Sequence, residues 1–424
     1  MKKNGFKLFL TVFSIFVFLL AGCSSSSESS GGSEDEREVN ILYIGDPEFW
    51  ENQAKEFEEE TGIEVNYESV PFGQLHDNMF TVFSGGSSDY DVVHVRDDWA
   101  TEFASMGFLE PLDEYVTEEL KSEFPESSFE ALSHDGSLYG FPRYTWLWQY
   151  YYNKDVFTQA GIENVPETWD ELVETSKIIQ EEVDGMYGYA EAYGQRFAVT
   201  PFIVHLRAEG GQFWDYEKDL PKFNSSEGVN ALQFMQDMNL KHKVLHPLSF
   251  EFSGTGPLAE VFAQGQFAMS VATPNIPLMS NDPAISKVTG QIEAALIPGS
   301  ADKSAGYAET GGMAIPANSK NKDEAFEFIK FATSAEQEKK MALETGNIPL
   351  NLTALNDSEV IEKYPHFGFV DEQLKYTKGL FKHEKTTEIQ DEVARFVVEA
   401  VNGKKSPEDA LKEAEESVLK ILNK

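Results

Sequence analysis

Between residues 39 and 106 the spacing of apolar residues switches repeatedly between period two and period 3.6, and this alternation restricts the chain more than any other feature. Residues 39–44 read as a short apolar strand ending in Gly45-Asp46-Pro47. A helix follows with Trp50, Ala54 and Phe57 on its apolar face, which assigns Trp50 to the core, and it stops at Thr61-Gly62. Residues 63–70 alternate as a second strand, Pro71 opens a helix to about Phe83, and SGGSSD makes a turn. A third strand at 90–95 leads into Arg96-Asp97-Asp98-Trp99 and a helix to Met106. Strand, helix, strand, helix, strand is an α/β unit around a largely parallel sheet. In such sheets ligands sit beyond the carboxyl ends of the strands, a place held here by Gly45-Asp46 and Asp97-Asp98-Trp99.

A second α/β set begins at residues 144–153, YTWLWQYYYN, where Tyr144, Trp146, Trp148, Tyr150 and Tyr152 recur at period two. That spacing puts five rings on one face of a strand. Such stripes are usually core, but tyrosine and tryptophan carry polar groups that need partners when buried, and an ordinary core strand would use Val, Ile or Leu. Helices are expected at 168–183, where Thr168 and Glu171 form a capping signal, and at 199–208, 225–240, 322–344 and 386–423, the last interrupted at 403–407. Strands are expected at 186–190, 267–272, 292–297 and 312–316. The length from Glu38 onward exceeds a single hydrophobic core and predicts two lobes.

The first 22 residues stand apart. Lys2, Lys3 and Lys7 precede a largely apolar run over 8–20, too short for a permanent membrane helix. Leu20-Ala21-Gly22-Cys23 then resembles the bacterial lipobox, in which the cysteine is acylated and the chain is cut before it. Cys23 is the only cysteine in 424 residues, so no internal disulfide forms. Residues 24–37, SSSSESSGGSEDER, cannot bury apolar area and read as a disordered tether reaching about 20 Å. The chain is thus expected to be an exported lipoprotein, anchored to the cell membrane on its extracytoplasmic side through Cys23.

A net charge of −38 repels nucleic acid and anionic headgroups, which removes both as partners. No GxSxG, no phosphate-cradling GxxxxGK[ST] and no cysteine nucleophile in the body is present. His242 and His246 lack a nearby third ligand, so no metal and no cofactor are expected. Alternation sends Tyr151 to the face opposite Tyr150 and Tyr152, against a shared ferric site.

Four stretches, in order, carry a resemblance: FEEETGIEVNYESV, GSLYGFPRYTWLWQYYYNKDVFTQAGIENVPETWDEL, FAQGQFAMSVATPN and ETGGMAIPANSKNKDEAFEFIKFATSAEQ. Together they span about residues 40–350 and resemble the family 1 extracellular solute-binding proteins of ABC importers, the maltose-binding-protein-like group. The resemblance implies a type II periplasmic-binding-protein fold: two α/β lobes, each a sheet flanked by helices, joined by hinge segments near 143–150, 293–298 and 346–350. The first crossing divides the aromatic stretch: Arg143, Tyr144 and Trp146 would lie where the chain passes the cleft, and Trp148, Tyr150 and Tyr152 would enter the second lobe's core. Residues 38–145 and 297–346 would make lobe 1, and 146–296 and 347–424 lobe 2. It further implies a monomeric receptor, not an enzyme, that closes on one solute and delivers it to ABC permease subunits.

Sugars present apolar C–H faces and a rim of hydroxyls, so their sites combine aromatic rings with planar polar groups. Trp99, Trp146 and Trp214 are the candidate platforms for a mono- or oligosaccharide. Among polar groups, Asp46 and Asp98 lie at strand ends, Arg143 and Tyr144 at the implied crossing, and Asn275 and Glu309 in crossing loops. Glu191 follows the strand MYGYA, where the resemblance implies a sugar-binding carboxylate. Gly311 and Gly312 either bring backbone N–H groups to the ligand or permit a turn. The resemblance and this pattern leave three alternatives: a glycoside hydrolase using paired carboxylates, a binder of a non-sugar solute, and a binding subunit that reports to a sensor.

Overall fold

The computed structural model describes residues 37–44, 47–70, 72–300, 304–379, 381–383 and 385–423. Cys23, the tether through Glu36 and Asp46 lie outside that set. The expected β-α-β-α-β opening is present as strands Glu38–Tyr43, Glu64–Ser69 and Val92–Arg96 with helices Pro47–Thr61, Phe72–Ser84 and Asp97–Ser105. The first two strands pair in parallel, as do the first and third. Two long antiparallel strands extend this sheet: Gly306–Ala314 lies against Val92–Arg96, and Phe141–Leu147 lies against Gly306–Ala314. Ile348–Pro349 closes one edge. Helices Lys322–Ala332 and Ala335–Thr345 complete the packing around a core that includes Phe57, Phe103, Phe141, Met313 and Phe328.

A second sheet has the order Ile292–Ala295, Gln149–Asn153, Phe267–Ala272, Tyr187–Ala190. One face carries the larger core, covered by Trp169–Glu182, Val199–Ala208, Ser226–Leu240, Thr386–Val401 and Pro407–Leu422. The other is covered by Thr255–Ala263 and Asn275–Ser280. Helix Trp169–Glu182 starts as its sequence dictates: the Thr168 hydroxyl accepts from the Glu171 N–H at 3.2 Å while Glu171 Oε2 accepts from the Thr168 N–H.

The stretch YTWLWQYYYN is two strands in two sheets, broken at Trp148, with the expected division between Trp146 and Trp148. Tyr144 and Trp146 belong to the first core, whereas Trp148, Tyr150 and Tyr152 belong to the second and Tyr151 faces its opposite side. The strand expected at 312–316 begins six residues earlier, because AETGG carries no apolar alternation yet is buried on both sides. The chain does not transfer to the second lobe at 346–350. Ile348 pairs with Thr145, Glu338 accepts the N–H groups of Leu350 and Asn351 at 2.8 and 2.7 Å, and residues through Leu374 remain in the first core. The two-residue strand here is too short to leave a periodic signal. The chain reaches the second core only at Phe381, packed on Phe213 and Trp214.

Candidate binding site

Register gathers the chemistry at one end of the first sheet. Gly311 stands opposite both Arg96 and Tyr144, and Glu309 stands opposite Trp146. Paired residues share a face, so Arg96, Tyr144, Trp146 and Glu309 project the same way. Helix Asp97–Ser105 starts at the carboxyl end of its strand and sets Asp97, Asp98 and Trp99 beside them.

Arg96 is the hub. Its Nε donates to Asp98 Oδ1 at 3.1 Å, its Nη2 reaches Glu309 Oε1 at 3.3 Å, and its guanidinium lies 5.6 Å from the Trp99 ring centroid. The Tyr307 hydroxyl donates to Glu309 Oε1 at 3.0 Å. Asp98 and Glu309 keep 25% and 30% of their side-chain surface exposed, so both retain acceptor capacity beyond Arg96. Trp99 and Trp146 are half-buried. Trp99 is held by His76 at 5.4 Å and His94 at 5.8 Å between ring centroids. Behind them Asp97 is 2% exposed; its Oδ1 accepts the Asp98 N–H, and its buried Oδ2 accepts no hydrogen bond among the described residues. Burial first, then the neighbouring Asp98, push this carboxyl up to about 7.

Gly311 and Gly312 lie within a strand and form no turn. A Cβ on Gly311 would sit 2.3 Å from the Tyr144 ring, and one on Gly312 would sit 2.4 Å from the Phe141 carbonyl oxygen. The bare backbone of Gly311 makes room for the Tyr144 ring, which also stacks on His94 at 6.1 Å.

Other expected residues stand apart. Arg143 is 1% exposed, its guanidinium 4.2 Å above the Trp50 ring and its Nη2 donating to Gln53, so it packs inside the first core. Trp214 is equally enclosed: it stacks on Phe381 at 5.1 Å and donates to Asp219. Glu191 is 1% exposed and accepts from Tyr189 at 2.7 Å, from Tyr193, and from His205 Nε2 at 3.0 Å, the ring nitrogen taken as protonated. Burial pushes its carboxyl up, but the His205 ring and the tyrosine hydroxyls outweigh burial and hold it low. Asn275 is half-buried with its amide engaged on Thr255. Sequence placed Asp97 at the strand end but gave no role to Arg96 or Tyr307. Arg96 was visible as the first residue of RDDW, but its reach to Glu309, over two hundred residues away, had no local signal.

Among the described residues no group of three or more His, Cys, Asp or Glu side chains is set to hold a metal ion. His246 packs among Tyr187, Phe252 and Phe267.

The sequence profile of the family described as "Bacterial extracellular solute-binding protein" matches residues 44–339. The chain is 26% identical over 420 residues to the diacetylchitobiose binding protein DasA of Streptomyces coelicolor, covering 95% of each chain. It is 24% identical over 322 residues to a Sinorhizobium fredii protein named "Probable amino-acid ABC transporter periplasmic-binding protein", covering 74% of this chain and 72% of that one. Among solved structures, maltose-bound MalE3 of T. maritima superposes with a TM-score of 0.76 at 27% identity, over 91% of this chain and 99% of the other.

Proposed function

This chain belongs to the bacterial extracellular solute-binding proteins, and from that premise we propose that it is a lipid-anchored receptor that captures a carbohydrate and hands it to an ABC permease. It has the two-lobed, type II binding-protein fold of MalE-like proteins. The observation that carries the carbohydrate reading is the cluster at the end of the first sheet. Two half-buried tryptophans, Trp99 and Trp146, stand beside two partly exposed carboxylates fixed by one guanidinium. Rings stack on the C–H faces of a sugar, and carboxylate oxygens accept from its hydroxyls. The names of DasA and maltose-bound MalE3 support the same class. The solute lies between the lobes, which close on it, and the reading contains no chemical step. Cys23 tethers the body to the outer face of the membrane, and the receptor works as a monomer. Of the expected ligand residues, Asp98, Trp99, Trp146 and Glu309 line the proposed site, with Tyr144 shaping its floor.

A thermal-shift screen of the purified body against mono- and oligosaccharides tests the reading, since a ligand at 100 times its dissociation constant adds about 2.7 kcal/mol of stability. Amino acids belong in the same screen, because the S. fredii relative is named for them. A rise in melting temperature with amino acids and none with sugars replaces the carbohydrate reading by the non-sugar one. For the anchor, Cys23→Ser releases or leaves unprocessed a protein whose body still binds. An amino end other than an acylated Cys23, found by mass spectrometry of the mature protein, refutes the anchor.

A further inference from the structure

Among the described residues, three cations around the proposed site, Arg96, Arg207 and Lys382, are already engaged. Arg96 is divided between Asp98 and Glu309. Arg207, in the last turn of helix Val199–Ala208, donates Nη1 to the carbonyls of Gly306 and Lys378 at 3.0 and 2.7 Å, and Nη2 to that of Gly379 at 2.6 Å. Lys382 Nζ donates to the Ala131 carbonyl at 2.5 Å, where helix Glu126–Ala131 ends. Arg143 is enclosed under Trp50. Against these stand three carboxylates within one turn of chain or one strand of each other: Asp97, Asp98 and Glu309. The Asp97 Oδ2 is buried and accepts no hydrogen bond among the described residues.

We propose that this site selects its solute by charge, taking an uncharged carbohydrate and rejecting acidic sugars. Arg96 is then a positioning residue that holds Asp98, Glu309 and Trp99 in place, and not an anchor for a ligand anion. The inference rests on the carbohydrate reading above. A ligand carboxylate that sought Arg96 would have to displace Asp98 or Glu309 and leave that acid unpaired in a partly desolvated place. One that avoided Arg96 would face like charge, a juxtaposition that interfaces use to exclude wrong partners. A hydroxyl meets neither obstacle. It donates to a spare carboxylate lone pair without separating the ion pairs.

Calorimetric titration of the wild-type body tests this with neutral trisaccharides of glucose, galactose and xylose, each beside a counterpart carrying one uronate residue. At least one neutral compound binds, and its uronate counterpart binds at least about 30-fold more weakly. In 0.5 M salt the gap narrows while the neutral affinity stays within about twofold, because screening acts on the charge term alone. Glu309→Gln frees one edge of Arg96 and narrows the gap to about fivefold or less. Arg96→Lys, which keeps the charge but loses the planar fork, weakens the neutral sugar about tenfold with a melting temperature within a few degrees of wild type. A merely structural Arg96 would move the melting temperature and leave the neutral-to-uronate ratio and its salt dependence alone. A uronate that binds as tightly as its neutral partner overturns the proposal and leaves the carbohydrate reading standing. No carbohydrate binding at all overturns both.

Discussion

Glu191 and the pair Asp98–Glu309 are the same chemical groups in opposite circumstances. Glu191 is enclosed in the second core, and its two oxygens are taken by Tyr189, Tyr193 and His205. Asp98 and Glu309 sit at the edge of the first sheet, share Arg96, and keep 25% and 30% of their surface. A carboxylate whose acceptors are all occupied from within stabilises a fold; one with acceptors left over can meet a solute. Availability of lone pairs, and not residue type, separates the two regions.

The largest expected effect comes from removing one partner of the enclosed set. Glu191→Ala or His205→Ala leaves an unpaired polar group in the core and costs ~3–5 kcal/mol in urea unfolding, while the protein that remains folded binds as before. Asp98→Asn and Glu309→Gln change stability by less than ~1 kcal/mol, as partly exposed ion pairs do, and act on binding. A Glu191→Ala protein that melts normally but no longer binds inverts the comparison. The sign with pH follows from the Glu191 carboxyl being held low: its contribution is present above the ordinary carboxylate range and is lost as pH falls through the lowered value.

Buried titratable groups elsewhere sharpen the contrast. Burial pushes the His366 imidazole down to about 3 from 6.5. Below pH 6.5 the unfolded chain takes up this proton and the folded chain does not, so stability falls as pH drops toward 3. The slope is ~1.4 kcal/mol per pH unit from this one side chain. His366→Gln flattens that slope between pH 6.5 and 5 in a denaturation series; an unchanged slope shows that the ring is hydrated. Asp97 has the reverse sign. Its folded value, raised to about 7 from 3.8, gives a contribution fully present below 3.8 and lost as pH rises through 7. Asp97→Asn therefore melts higher than wild type at pH 8, and the difference shrinks toward acid pH. A variant that melts lower at pH 8 assigns Asp97 an attractive partner when ionised.

How much of this was legible in the sequence follows the range of each signal. The opening β-α-β-α-β unit, the Thr168 capping box, and the helices Val199–Ala208 and Ser226–Leu240 fall where periodicity and caps put them. Those signals act within one element. The return of residues 348–374 to the first core depends on Ile348 pairing with Thr145 and on Glu338 holding two distant N–H groups, which no local pattern encodes. The same limit divides the expected site residues. Asp98 and Trp99 follow from the rule that ligands sit at strand ends. Arg143 looked accessible because it lies at an implied crossing, and Trp214 because it follows the Gly210-Gly211 helix end in a loop. Both found partners in a core instead: Trp50 under one and Phe381 on the other. Arg96 went unnoticed because its importance lies in reaching two acids on different elements.

The central claim is that the carbohydrate lies against the Trp146 side of the first sheet, and the two tryptophans of one short stretch test it most directly. Trp146 is half-buried at the edge of the first core, whereas Trp148 is 4% exposed in the second and meets Tyr307 edge-on at 5.9 Å. Calorimetric titration and melting curves on Trp146→Ala and Trp148→Ala, with a sugar that the wild type binds, separate their roles. Trp146→Ala is expected to weaken binding by ~1–3 kcal/mol and leave the melting temperature nearly unchanged. Trp148→Ala is expected to lose ~3–5 kcal/mol of stability to a cavity and to keep its affinity while folded. If Trp146→Ala binds the sugar as tightly as wild type, the solute does not rest on this face and the account fails.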